Sequence, residues 1–151
     1  MRRFTFRLDS ILRLRQYEEK VARQQLQEAL SRLAVAERDL DTLQQHSHAV
    51  RQRRRQLVQQ GAEAALLAAC AQNQAALDAA VQLQRGVVRD LEALVAKRRE
   101  EYLARQRERQ TMEELKDQAW QEFQAEELRA EQSLLDEVAL SGHIHRLTTD
   151  W

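Results

Sequence analysis

The sequence predicts an all-α protein built as a long antiparallel two-helix coiled coil with an alanine-rich connecting tip segment. Three observations carry this reading. There is no proline in 151 residues and there are only three glycines, so almost nothing forces a helix to break. Aromatic residues supply 5% of the chain and the apolar quota is mostly alanine and leucine, which suits a narrow helix–helix seam better than a globular core. Apolar side chains also recur at alternating steps of four and three, the spacing that keeps one stripe of a helix against a partner.

The first helix is expected over about 8–59. Leu8, Leu12, Arg15, Glu19, Ala22, Leu26, Ala29, Leu33, Ala36, Leu40, Leu43, Ser47, Val50, Arg54 and Leu57 share one stripe, and the seven from Ala22 to Leu43 are apolar without exception. Met1 to Tyr17 carries five arginines against the single acid Asp9, with Phe4, Phe6, Leu8, Ile11 and Leu12 among them. Such a segment also suits an organelle-targeting helix or a membrane-surface anchor. The heptad stripe starts inside it, however, and a cleaved peptide would not be in register with the mature coil.

The second stripe reads Leu67, Cys70, Gln74, Leu77, Val81, Gln84, Val88, Leu91 and Val95. It weakens through Arg98, Tyr102, Arg105 and Arg109 and resumes at Met112, Ala119, Phe123 and Ala130. From Lys97 to Gln110 only Tyr102, Leu103 and Ala104 are not polar or charged, so the grip there is expected to be looser or supplied by those residues and long arginine stems. Ser141-Gly142 ends the periodic pattern and is expected to stop the helix.

Charge and length then fix the pairing. Residues 1–60 hold 13 basic and 7 acidic groups, and residues 113–151 hold 3 and 10, so the neutral chain has arms of opposite sign that favour an antiparallel hairpin. A sharp turn at Gly61 would face Leu8 with Leu115 and strand Phe123, Leu128, Leu134 and Leu135. Treating 60–86 as a separate connecting segment, itself compatible with helix, leaves a second helix of 54 residues over 87–140 against 52 in the first. The expectation is therefore a single elongated domain over 1–151, a rod about 80 Å long at 1.5 Å per residue, with a flexible tail at 141–151. Gly86, costing about 1 kcal/mol relative to alanine inside a helix, is the expected hinge.

Several function classes drop out. None of the glycines belongs to a phosphate-cradling pattern, so no nucleotide or other cofactor is expected. Carboxylate pairs such as Asp136-Glu137 have no pocket on a rod, so no catalysis is expected. His46/His48 and His143/His145 project about 200° apart on a helix and cannot easily share a metal ion. Cys70, the single cysteine, excludes an internal disulfide and fits a reducing, cytosolic compartment. No apolar run approaches the eighteen or so residues needed to cross a bilayer, so no direct membrane insertion is expected. Arg51, Arg53, Arg54 and Arg55, with the cluster Lys97, Arg98, Arg99, Arg105, Arg107 and Arg109, have the composition of a phosphate-backbone contact. The neutral total and the interleaved Glu100, Glu101 and Glu108 argue against nucleic acid, and an acidic protein surface suits them equally.

Phe4-x-Phe6-x-Leu8-x-x-Ile11-Leu12-x-Leu14-Arg15 followed by Glu18-Glu19 resembles the opening of FliJ proteins, and Glu126-Glu127, Glu131 and Leu135-Asp136-Glu137-Val138-Ala139 resemble the acidic close of that family. Length, proline-free helices and the alanine-rich interruption are similar over essentially the whole chain. The resemblance implies a non-enzymatic flagellar type III export component, cytoplasmic and peripheral to the inner membrane at the flagellar base. It implies a stalk for the export ATPase hexamer, similar to a rotary ATPase gamma subunit, that couples the ring to the export gate and is compatible with escort of export chaperones. On that basis Phe4, Phe6, Leu8, Leu135 and Val138 are candidates for the ATPase ring, and Leu77, Ala80 and Gln84 for the cytoplasmic region of the gate. Asn73 departs from the aromatic residue the family pattern has on that face. The alternatives are the stalk of a virulence-type secretion ATPase and a general coiled-coil scaffold.

Overall fold

The computed structural model describes residues 3–149. Two helices pack against each other as an antiparallel hairpin: α1 covers Asp9–Gln59 and α2 covers Ala64–Thr149. Among the described residues there is no strand.

The turn between them is built by one glycine. Gly61 has φ +70°, its N–H donates to the Val58 carbonyl at 3.2 Å, and the Ala62 N–H reaches the Leu57 carbonyl at 3.0 Å. These are the paired hydrogen bonds of a helix closed by a left-handed residue, and they satisfy two carbonyls that the last turn would leave open. Leu57 is buried beneath this turn. α2 starts three residues later, where the Glu63 carbonyl accepts from the Leu67 N–H at 3.2 Å.

The contacts fall into two units. In the unit Lys20–Ala104, Ala22, Ala29, Ala36 and Leu57 of α1 and Val81, Val88 and Val95 of α2 are buried, with half-buried leucines between them. Alanine and valine at the seam let the backbones approach closely. Burying each valine contributes about 1.5 kcal/mol or somewhat more. Register is read from three polar crossings: Ser47 with Gln74 at 2.8 Å, the Ala36 carbonyl with Gln84 at 3.0 Å, and Gln25 with Arg98 at 3.2 Å. In the other unit, the chain up to Glu19 packs against α2 from Arg105 onward, with Leu12 and Glu19 buried.

The stripes expected from the sequence are the faces that pack. Every α1 stripe residue except Arg54 is buried or half-buried, as is every α2 stripe residue through Phe123; Ala130 is exposed. The element boundaries differ. The sharp turn at Gly61, set aside on grounds of matching length, is the turn that forms, and 60–86 is not a separate segment because α2 already begins at Ala64. Gly86 lies inside the helix and Ser141-Gly142 does not stop it. One kilocalorie per glycine is too little to break a helix that each neighbouring turn extends at a gain. The tail expected at 141–151 is helical to Thr149, and Asp150 and Trp151 lie outside the described residues.

Lys97–Gln110 is also not loose, because the arginine stems that were one of the two expectations make the crossings. Arg23 lies over the Tyr102 ring, 5.8 Å from its centroid. In the other unit, Arg15, Glu18, Arg105 and Glu108 close a ring of four alternating charges. Arg15 meets Glu18 at 2.9 Å and Glu108 at 3.3 Å, and Arg105 meets Glu18 at 3.3 Å and Glu108 at 3.1 Å. Beside this ring the buried Glu19 pairs with Arg109, which also holds Glu113 at 2.5 Å.

Candidate partner-binding surfaces

The N-terminal segment reaches α1 through a turn in which the Asp9 N–H donates to the Phe6 carbonyl at 3.1 Å. Before that turn, Phe4 packs on α2 against two aromatic rings. It meets Trp120 edge-on at 5.0 Å between centroids and Phe123 at 5.5 Å, while Trp120 stacks on Phe123 at 5.7 Å. Trp120 and Phe123 are three residues apart, which puts them on one face of the helix. Phe6 and Leu8 are half-buried and border the same groove, with Arg3 and Arg7 opposite Glu122 and Glu126 of α2.

Leu135 and Val138, placed with Phe4, Phe6 and Leu8 by the expectation of matched ends, are not brought together with them. α2 continues from Gln124 to Thr149 beyond the aromatic cluster, and all but one of its described side chains there are exposed. Leu135 is 67% exposed and Val138 60%, with Leu128, Leu134, Leu140 and Ile144 similarly open. Phe123 is not stranded, because Phe4 covers it. Leu134 and Leu135 border a shallow surface depression with Glu127, Ala130 and Glu131.

The residues assigned to the gate lie in the other unit. Leu77 and Gln84 belong to the seam, and Gln84 spends its amide on the Ala36 carbonyl; Ala80 is half-buried beside them and Asn73 is exposed. Nearby, one polar cluster crosses the seam. Ser47 Oγ donates to Asp78 at 2.9 Å, Gln74 Nε2 lies 2.8 Å from Ser47 and 2.9 Å from Asp78, and Arg51 donates to Asp78 at 3.0 Å. The Ser47 hydrogen bond, helped by Gln74 and Arg51, holds the Asp78 carboxyl below the usual aspartate range despite the opposing cost of burial. Gln74 Oε1 is buried without a partner.

Sequence reasoning missed Trp120 because it stands one position off the stripe. Its signal was the spacing to Phe123. It also treated Glu19 and Arg109 as gaps in the seam, where they are each other's partners. Among the described residues no group of three or more His, Cys, Asp or Glu side chains is placed to hold a metal ion, and no helix is long and apolar enough to cross a membrane.

A helical hairpin that presents an aromatic-capped groove and an apolar helix face defines a protein of binding surfaces. The chain matches the family model described as Flagellar FliJ protein over residues 4–148 and belongs to that family, which places it among flagellar export components. No curated protein and no solved structure matches it.

Proposed function

We propose that this chain is the central stalk of the flagellar export ATPase ring and couples that ring to the export gate. The observation that carries the reading is the exposed apolar face of α2 beyond Phe123, which has the large side chains of an interface. Leu135 and Val138 on that face, with Phe4, Phe6 and Leu8 on the groove, are the contacts for the ATPase hexamer. They form two separate surfaces, so the ring would engage the aromatic groove and the apolar face at different heights of α2. Leu77, Ala80 and Gln84 are the contacts for the gate through the edges left open beside the seam. Escort of export chaperones fits the same exposed surfaces. In this reading the protein works in the cytoplasm, at the inner membrane beneath the flagellum, without entering the bilayer.

The test is the hydrolysis rate and oligomeric state of the flagellar export ATPase with and without the purified chain. Faster ATP hydrolysis together with hexamer formation is expected. Absence of both binding and stimulation overturns the stalk reading and leaves a coiled-coil scaffold.

A further inference from the structure

We infer that the apolar end of α2 in one molecule docks on the basic-rimmed hairpin tip of a second copy, giving a head-to-tail self-association. The donor surface is α2 from Gln124 to Thr149, where Leu128, Leu134, Leu135 and Val138 are exposed. This stretch carries five acids and two arginines. At 1.5 Å per residue its 26 residues are about 39 Å long.

The receiving surface is the outer flank of α2 in the unit Lys20–Ala104. Leu66, Leu83 and Val87 fall there on a heptad row one position before the seam row, with alanines and Asn73 between them. All three are exposed, Leu83 to 75%. Val87 borders a groove whose α1 wall includes Val35, also exposed, with Arg32 and Asp39 both on it, so the basic charge of the receiver lies closer to the turn. Between Ala64 and Gln84, 21 residues or about 31 Å of helix, the single charged side chain is Asp78, and it is held by Ser47 and Arg51 of α1. This stretch of the receiver therefore offers a docking helix no unpaired charge of its own.

Charge complementarity selects the occupant. Residues 42–89 hold six arginines against Glu63 and Asp78, and Arg53, Arg54 and Arg55 are exposed. The acids of the donor helix, with Glu127 and Glu131 beside Leu134 and Leu135, match the net positive charge of the tip. Two acidic ends would repel each other, and so would two basic tips, which disfavours a symmetric dimer through either surface. Because donor and receiver are different patches, the contact is heterologous, and each molecule in it keeps a donor or a tip to which a further copy can add. A tip covered in this way is closed to other partners, so the association sets how much of the protein is available.

Light scattering or sedimentation of the full chain over a hundredfold range of concentration is the test. At about 0.1 M salt, where the screening length is about 10 Å, the mass should rise above 17.7 kDa with concentration. It should return to the monomer at about 1 M, where that length is about 3 Å. The variants R53Q/R54Q/R55Q and L134S/L135S/V138S change only exposed residues, and circular dichroism checks that each remains helical. Each alone should be monomeric. Mixed, they leave one intact tip and one intact donor, so the mixture should stop at twice the monomer mass. A wild-type chain that stays monomeric throughout at low salt overturns the proposal. So does self-association that survives in either variant, and so does a mixture that remains monomeric.

Discussion

Gly61 ends α1 with a backbone conformation that side chains with a Cβ resist. The obstacle is in the chain itself, because nothing lies within 4 Å of where a Cβ would stand. Gly61→Ala should therefore cost about 1–2 kcal/mol, the penalty of one residue forced into the left-handed region, read from denaturant unfolding followed by helicity. Glu19 poses a different question, since a carboxylate at a seam position is tolerated only with its partner. Arg109 is held above its ordinary value first by the hydrogen bond to Glu113 and then by Glu19. Replacing Glu19 alone by leucine leaves Arg109 facing an apolar seam and should cost about 3 kcal/mol, the low end for a broken buried pair because Glu113 still binds the guanidinium. The double variant E19L/R109L should recover most of that loss. A double variant as unstable as the single one would mean that the pair is worth more than an apolar contact at this place.

At the scale of elements, α2 is continuous where a break was expected, and this continuity can be strengthened. Gly86 is helical with open space where its Cβ would point, so Gly86→Ala should raise stability by up to about 1 kcal/mol. A true hinge would respond by losing function without gaining stability. The crossing at Ser47, Gln74 and Asp78 has a pH signature. Asp78 is held below its unfolded value, so its contribution is fully present above the ordinary aspartate range and is lost as pH falls through the lowered one. Ser47→Ala removes the largest cause, and the Asp78 carboxyl should then titrate at higher pH by carbon-detected NMR. An unchanged midpoint would show that Arg51 and Gln74 suffice. The stripes themselves were legible in the sequence because they depend on local period alone: Ala22 to Leu43 and Leu67 to Val95 pack as their spacing requires. The turn was not, since choosing between a sharp turn at Gly61 and a connecting segment over 60–86 depended on whether unmatched apolar residues such as Leu134 and Leu135 are an error to avoid or a surface to present. Periodicity cannot answer that. Likewise Arg105 and Arg109 read as breaks in an apolar pattern until the partners Glu18 and Glu19 are seen opposite them.

For the whole molecule, the distinction that matters is between apolar side chains that hold the fold and those that wait for a partner. Phe4 touches both Trp120 and Phe123, so Phe4→Ala removes aromatic contacts along with buried area and should cost about 2 kcal/mol. Leu134, Leu135 and Val138 are exposed, and their replacement by serine should change the unfolding free energy by no more than about 0.5 kcal/mol each, as for ordinary surface sites. If those three residues meet the export ATPase, the same serine variant should nevertheless bind the ATPase more weakly and stimulate hydrolysis less. Phe4→Ala should lower stability and stimulation together. Measuring unfolding and ATPase stimulation on both variants separates the two roles. Should the serine variant lose stability in proportion to its loss of stimulation, these residues belong to folding, and the apolar end of α2 would no longer be the surface that the ring recognises.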